Sequence, residues 1–254
     1  MKIIVAIKQV PERDAPLRIA ADGRWIEDSA VGYTINEPDA YALEEALQLK
    51  EMHGGEVIAL TLGPERAAAA LRDALAKGAD RAIHVLEENI AVLDSLGIAS
   101  QLAAAVRTES PDLILTGLQS DDLGAGQTGV VLAELLGIPS ATIVMQVEVT
   151  DAGLRVKREL EDGWFQHIEM PLPALLTIQS GINKLRYATL MGIKKAKTKE
   201  LKVMEAAPLN TSAAVSLERL HPPEKLKRTQ MISGTAVEAA TKLAEILKNE
   251  VHAI

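Results

Sequence analysis

The sequence predicts an α/β protein built on a doubly wound, mostly parallel sheet. Three observations carry that prediction. Short apolar runs at residues 2–7, 56–62, 81–86 and 112–116 alternate with segments of helical period through the first 150 residues. The runs are apolar throughout rather than alternately apolar and polar, which is the pattern of strands covered on both faces. The chain is 48% hydrophobic but only 2% aromatic, so its core is made of Ala, Leu, Ile and Val.

Taken in order, residues 2–7 form the first strand, which Lys8-Gln-Val-Pro11 ends. Residues 18–28 read as a small hairpin turning at Asp22-Gly23. Asn36 is a helix N-cap, with Pro38 in the first turn and Asp39 three residues on, a variant of the capping box. The helix that follows sets Ala40, Leu43, Ala46 and Leu47 on its apolar face and leaves Glu44, Glu45 and Gln48 outside, until His53-Gly54-Gly55 stops it. Residues 56–62 are the second strand. Gly63-Pro64 opens a helix over 65–76 that ends at Lys77-Gly78. Residues 81–86 are the third strand, 93–107 a helix and 112–116 the fourth strand, set apart by Ser110-Pro111. A polar, glycine-rich loop (117–126) and a helix (127–136) follow, and Gly137-Ile-Pro139 leads into a fifth strand near 141–149.

Beyond Thr150 the pattern changes. Turns at Asp151-Ala-Gly153 and Asp162-Gly163 predict an antiparallel meander over about 147–170, ended by Pro171 and Pro173 before another apolar strand at 174–178. Residues 180–202 show little periodicity and read as a long exposed loop, and loops of that length in compact folds are functional or disordered. Residues 206–228 are irregular, with Pro222-Pro223 forbidding a helix there. A terminal helix then spans 234–251, with Val237, Ala240, Leu243, Ile246 and Leu247 apolar. The expected organisation is an α/β domain over 1–205 and a C-terminal arm over 206–254 that packs on something else, such as another subunit.

Composition narrows the function. There is no cysteine, hence no disulfide and no thiolate metal site. The opening MKIIVAIKQV is too short and too interrupted for a signal peptide or a membrane span, so a soluble, cytoplasmic protein is expected. Residues 1–150 carry 11 Lys and Arg against 23 Asp and Glu, a net −12, whereas 151–254 carry 16 against 12, a net +4. Most of that basic excess lies in 184–202, with seven basic residues and only Glu200 opposing them. Such a run suits an acidic protein surface, an anionic cofactor or nucleic acid, and the near absence of interleaved aromatics, Tyr187 apart, speaks against nucleic acid. The histidines at 53, 84, 167, 221 and 252 have no metal-ligand spacing, and Ser120 has no G-x-S-x-G around it. Nothing in the chain spells a catalytic nucleophile or base.

The stretch from Asp112 to Gly137 reads as strand, glycine-rich loop and helix, a ready anion site. Free N–H groups point out of the helix end, the helix dipole favours negative charge there, Gly124 and Gly126 let the backbone come close, and Gln127 and Thr128 add donors. The expected ligand group is a phosphate. The spacing is not that of a P-loop. Although Gly124-Ala-Gly126-Gln-Thr-Gly129 spells G-x-G-x-x-G, it follows the fourth strand rather than the first. In a doubly wound sheet the carboxyl ends of the first, second and fourth strands, Ala6 to Lys8, Leu62 to Pro64 and Gly117 onward, are candidates together, with Asn36 beside them.

Several separated motifs resemble one family. VKRELEDG at 156–163 followed by EMPLPALLT at 169–177 is similar to the signature of electron transfer flavoprotein β subunits, as are IVAIKQV at 4–10, Asn36 with LEEA at 43–46, and AKGADR at 76–81. NKLRYATLMGIKKAK at 183–197 is similar to that family's partner-recognition loop. The resemblance covers nearly the whole chain. It implies half of an αβ heterodimer, an electron carrier without a substrate-converting site of its own. The α subunit would hold most of the redox-active FAD. This chain would contribute an adenine-nucleotide-binding (HUP-like) domain with a structural AMP and an arm packed on α. Carried over by position, the nucleotide contacts are Ala6, Asn36, Glu37, Pro38, Asp39, Leu62, Gly117, Gln119 and the loop Asp122, Leu123, Gly124, Ala125, Gly126, Gln127 and Thr128, the last two as phosphate donors. Arg13 falls where β approaches the flavin. The recognition loop spans about 179–200, with Leu190 as the apolar anchor among Tyr187, Met191, Ile193 and Lys194. Its partners would be flavin dehydrogenases, with a membrane quinone oxidoreductase as acceptor and no nucleic acid. One departure is Gly126, where the family often has Asn, so the phosphate would lean on backbone N–H groups. An alternative within the family is a bifurcating β subunit with a second FAD in place of AMP, associated with a loop like DGDTAQVG where this chain has DLGAGQTG at 122–129. From other classes, a universal-stress-type nucleotide binder would explain the first 150 residues alone, and a nucleotide-hydrolysing enzyme lacks its base and metal ligands.

Overall fold

The computed structural model describes residues 1–208, 213–223 and 229–253. The elements run β1 (Lys2–Ala6), β2 (Gln9–Pro11), β3 (Tyr33–Ile35), α1 (Glu37–His53), β4 (Glu56–Gly63), α2 (Ala68–Lys77), β5 (Arg81–Leu86), α3 (Ser95–Glu109), β6 (Leu113–Gly117), α4 (Thr128–Leu136), β7 (Ser140–Thr150), β8 (Gly153–Glu159), β9 (Phe165–Met170), β10 (Ala174–Ile178), α5 (Leu190–Ala196), β11 (Leu201–Glu205) and α6 (Ala236–Asn249). Among the described residues, nine strands form one sheet in the order β11-β5-β4-β1-β6-β10-β7-β8-β9, and β2 pairs with β3 in a small separate ribbon. Every pair from β11 to β7 is parallel, and β7, β8 and β9 form the antiparallel meander.

Alternation along the strands fills two apolar layers. Ile3 and Val5 of β1 pack with Leu43, Leu47, Leu71 and Leu75 of α1 and α2 on one face. Ile4 packs with Leu102, Val106 and Leu132 of α3 and α4 on the other. The chain therefore winds from β1 outward to β5 with helices on one face, then crosses and winds back through β6 with helices on the opposite face. The reversal falls between the neighbours β1 and β6, the place where open α/β sheets hold ligands.

The structure corrects four local expectations. Glu44 and Glu45 are buried on α1 rather than facing solvent, because residues far along the chain reach them: Arg186 pairs with Glu44 (2.7 Å) and Asn183 donates to Glu45 (3.0 Å). Asn36 makes no side-chain cap on α1 and turns elsewhere, as described below. The stretch 180–202 is not loop throughout, since it carries α5 and leads into β11, which adds a parallel edge strand beside β5. The hairpin at 18–28 narrows to one bridge, Ile19 to Ile26, and the ribbon of β2 and β3 was not foreseen.

The described residues divide into two compact units, 1–220 and 221–254. The second carries α6, started by a full capping box. Thr235 Oγ1 accepts from Glu238 N, and Glu238 Oε2 accepts from Thr235 N (2.8 Å). No helix of the described residues is long and apolar enough to cross a membrane.

Candidate functional site

At the switch point the ends of β1 and β6 are tied to the start of α1 by side chains. Asp39, in the first turn of α1, accepts from Lys8 N (2.7 Å) through one oxygen and from Gly117 N (2.8 Å) through the other. Its carboxylate thus bridges two neighbouring strand ends. Gly117 is required there: a Cβ would run into Asp39 Oδ1 and lie 2.7 Å from Pro38 Cβ. Asp39 is only 6% exposed. Burial pushes its carboxyl up to about 7, against the pull of the Lys8 and Gly117 N–H groups, Asn36 and the Lys8 charge.

Asn36 ties the next segment. It is 1% exposed, donates its backbone N–H to Lys8 O (2.9 Å), and uses both ends of its side-chain amide on the loop. Nδ2 donates to Gln119 O (2.9 Å), and Asp121 N donates to Oδ1 (2.9 Å). A third tie comes from Lys8, whose Nζ meets Asp122 Oδ1 (2.6 Å) and Ser120 Oγ (3.2 Å). Burial opposes ionisation of Asp122, yet the Lys8 charge and the bonds from Lys8, Ser120 and Leu123 N outweigh it and hold the carboxyl below its ordinary range. Asp121 Oδ2 accepts from Glu37 N (3.2 Å), so this carboxylate already sits at the N-terminus of α1.

The α4 end of the loop is different. Gly124 and Gly126 have positive φ (62° and 63°), a backbone that glycine adopts without strain. α4 begins with no side-chain cap, and its first helical bond is Val131 N to Gln127 O, which leaves the N–H groups of Thr128, Gly129 and Val130 without a helical partner. Gly129 lets this helix end sit flush on β6 and β10, since a Cβ would lie 2.7 Å from both Thr116 Oγ1 and Thr177 Cγ2. An anion donor set is therefore available at α4 and filled at α1.

The candidate nucleotide residues accordingly sort into groups. Ala6, Asn36, Glu37, Pro38, Asp39, Gly117, Gln119 and Asp122 come together around the ends of β1 and β6, and Leu62 lies near the end of the adjoining β4. Residues 123–127 are exposed and border α4. Arg13 lies at the rim, paired with Glu37 (3.2 Å). Lys8 closes a buried strand opposite the acidic pair Asp121-Asp122 of the loop after β6: it pairs with Asp122, while Asp121 accepts from Glu37 N, and that juxtaposition of a strand-end lysine with an acidic dipeptide is the signal the sequence offers for the tie. No group of His, Asp and Glu among the described residues could hold a metal ion.

The second candidate region is α5. Thr189 caps it, accepting from Gly192 N (3.0 Å). Tyr187 is 93% and Leu190 82% exposed, and Met191, Ile193 and Lys194 are exposed with them.

Residues 24–209 match the family model of the electron transfer flavoprotein domain. The chain is 38% identical to the electron transfer flavoprotein subunit beta of Methylophilus methylotrophus, over 97% of this chain and 98% of that protein. It is 36% identical to the one of Dictyostelium discoideum (100% and 99% covered) and 35% identical to the one of Bacillus subtilis (100% of each). The chain belongs to the electron transfer flavoprotein β-subunit family. The family model takes in α1, the glycine loop, the meander and α5. The matched β subunits extend the similarity over β1 and the C-terminal unit.

Proposed function

We propose that the chain is the β subunit of an αβ electron transfer flavoprotein, a cytoplasmic carrier that takes electrons from flavin dehydrogenases and passes them to a downstream acceptor such as a membrane quinone oxidoreductase. Full-length similarity to curated β subunits carries the reading. FAD, held mainly by the α subunit, supplies the redox chemistry, and Arg13 at the rim of the strand ends is this chain's residue toward it. The chain's own ligand is AMP, with a structural role.

The donor chemistry of the strand ends fits such a ligand. The free N–H groups at the start of α4, with Gln127 and Thr128, take the phosphate, and Gly126 in place of a side-chain donor keeps the backbone accessible. Asn36 and Asp39 have their polar atoms engaged within the chain. They shape the nucleotide site and hold loop 117–122 in place rather than grip the ligand. The exposed Leu190 among cations gives dehydrogenases an apolar anchor and an electrostatic field that steers a transient encounter. The apolar stripe of α6 packs on α.

Co-expression with the α subunit tests this. The expected result is one yellow species of the summed mass whose flavin is reduced by a flavin dehydrogenase. A colourless chain that elutes alone beside folded α would overturn it.

A further inference from the structure

α5 has seven residues, too few to hold a helix on local energetics. Its conformation is set by what bolts it down. Its C-terminal side is fixed to α2 from both directions. Arg72 Nη1 donates to Ala196 O (2.7 Å) and Lys199 O (3.1 Å), while Lys199 Nζ donates to Leu75 O (3.0 Å) and Ala79 O (2.5 Å). Gly192 sits directly on the Ala76 carbonyl, where a Cβ has no room.

On the N-terminal side, Arg186 is the last anchored side chain before Thr189 and Leu190. Its guanidinium grips two carboxylates of α1 that lie two turns apart. Nε and Nη2 reach Glu44 (2.7 and 3.1 Å), and Nη1 and Nη2 reach Glu51 (2.6 and 3.3 Å). Glu44 is buried and receives a further bond from Gln48 (2.8 Å), so the fork is held from below as well. The planar, five-donor guanidinium is the group that matches such a double carboxylate; an ammonium would not span it. Between this fixed point and Leu190 lie only Tyr187, Ala188 and Thr189.

We propose that Arg186 is the positioning residue of the docking helix: clamped on Glu44 and Glu51, it sets where Leu190 stands, and partner dehydrogenases read that placement. The inference rests on the reading of α5 as the docking element. It differs from that reading in naming a residue whose effect on the partner runs through the placement of Leu190.

The test is a double-mutant cycle on the full chain assembled with its α subunit, reading steady-state electron transfer from a panel of reduced flavin dehydrogenases. The variants are L190A, R186A, R186A/L190A and R186A/E44Q, the last removing the carboxylate charge that R186A strands in the interior. With the dehydrogenase that serves the native protein best, R186A/E44Q raises KM about fivefold or more with kcat and flavin content unchanged, and R186A/L190A is no worse than L190A, since a residue acting through another is non-additive with it. A native KM for R186A/E44Q while L190A raises KM overturns the role of Arg186 and leaves the docking reading standing, as does an additive R186A/L190A. A native KM for L190A with every dehydrogenase overturns the docking reading and this inference with it.

Discussion

The centre of the sheet and the C-terminal helix use the same residue types in opposite ways. In β1 and β6, Ile3, Ile4, Leu113 and Leu115 are sealed between helices on both faces. In α6, which has a well-formed cap and a clear apolar stripe, no residue is buried, and Val237 and Leu243 stand 77% and 47% exposed. A strand buried on both faces completes its own burial within the chain. An amphipathic helix none of whose apolar residues is buried has not completed its own burial. Under the proposed function, the comparison separates what the chain needs in order to fold from what it needs in order to assemble.

The largest effect expected is the loss of assembly. Deleting residues 229–254 leaves the melting transition of the sheet unit in place and abolishes co-elution with the α subunit; full-yield co-elution of the truncated chain would remove α6 from the account. Next, Leu115→Ala opens a cavity in the sheet and destabilises the free chain by about 3 kcal/mol, whereas Leu243→Ala leaves chemical denaturation of the free chain unchanged and weakens binding to α in a titration. Equal losses of stability from the two substitutions would erase the contrast.

The site gives a pH-dependent effect, spread over several pH units. The Asp39 carboxyl is pushed up to about 7 in the folded chain from an ordinary 3.8. Between those values the folded state holds a proton that the unfolded state has released, so stability falls as pH rises through the window, at most about 1.4 kcal/mol per pH unit, and levels off above it. Asp39→Asn removes that slope. Denaturation curves from pH 4 to 8 that run parallel for the native chain and the variant would show that Asp39 is ionised throughout. The smallest effect is at the cap of α6, where Thr235→Ala costs about 1 kcal/mol of helix stability, visible as faster amide exchange in 236–240 and not in β1.

What the sequence made legible follows burial. β5 lies where the apolar run 81–86 puts it, and the meander turns at the glycines that predicted its turns, because in both cases local pattern and tertiary burial agree. β11 and α5 were hidden for opposite reasons: an edge strand exposes Val203 and carries a lysine, and a seven-residue helix is too short to display its period. Glu44, Glu45 and Asn36 misled for a third reason. Each looks like a surface or capping residue from its neighbours, yet each is satisfied by a partner 80 to 145 positions away, about which local pattern says nothing. The glycine loop was legible as an anion site. Its division into a clasped half at 117–122 and an open half at α4 was not, because that division depends on Lys8, Asn36 and Asp39 arriving from another part of the chain.

The most direct test of the account is to purify the chain with its α subunit, denature the complex and identify the released nucleotides by chromatography. One FAD and one AMP for each αβ pair is the predicted result. Two FAD and no AMP would contradict it, making the chain a bifurcating β subunit and turning the donors at Gly126 to Thr128 into a seat for a pyrophosphate.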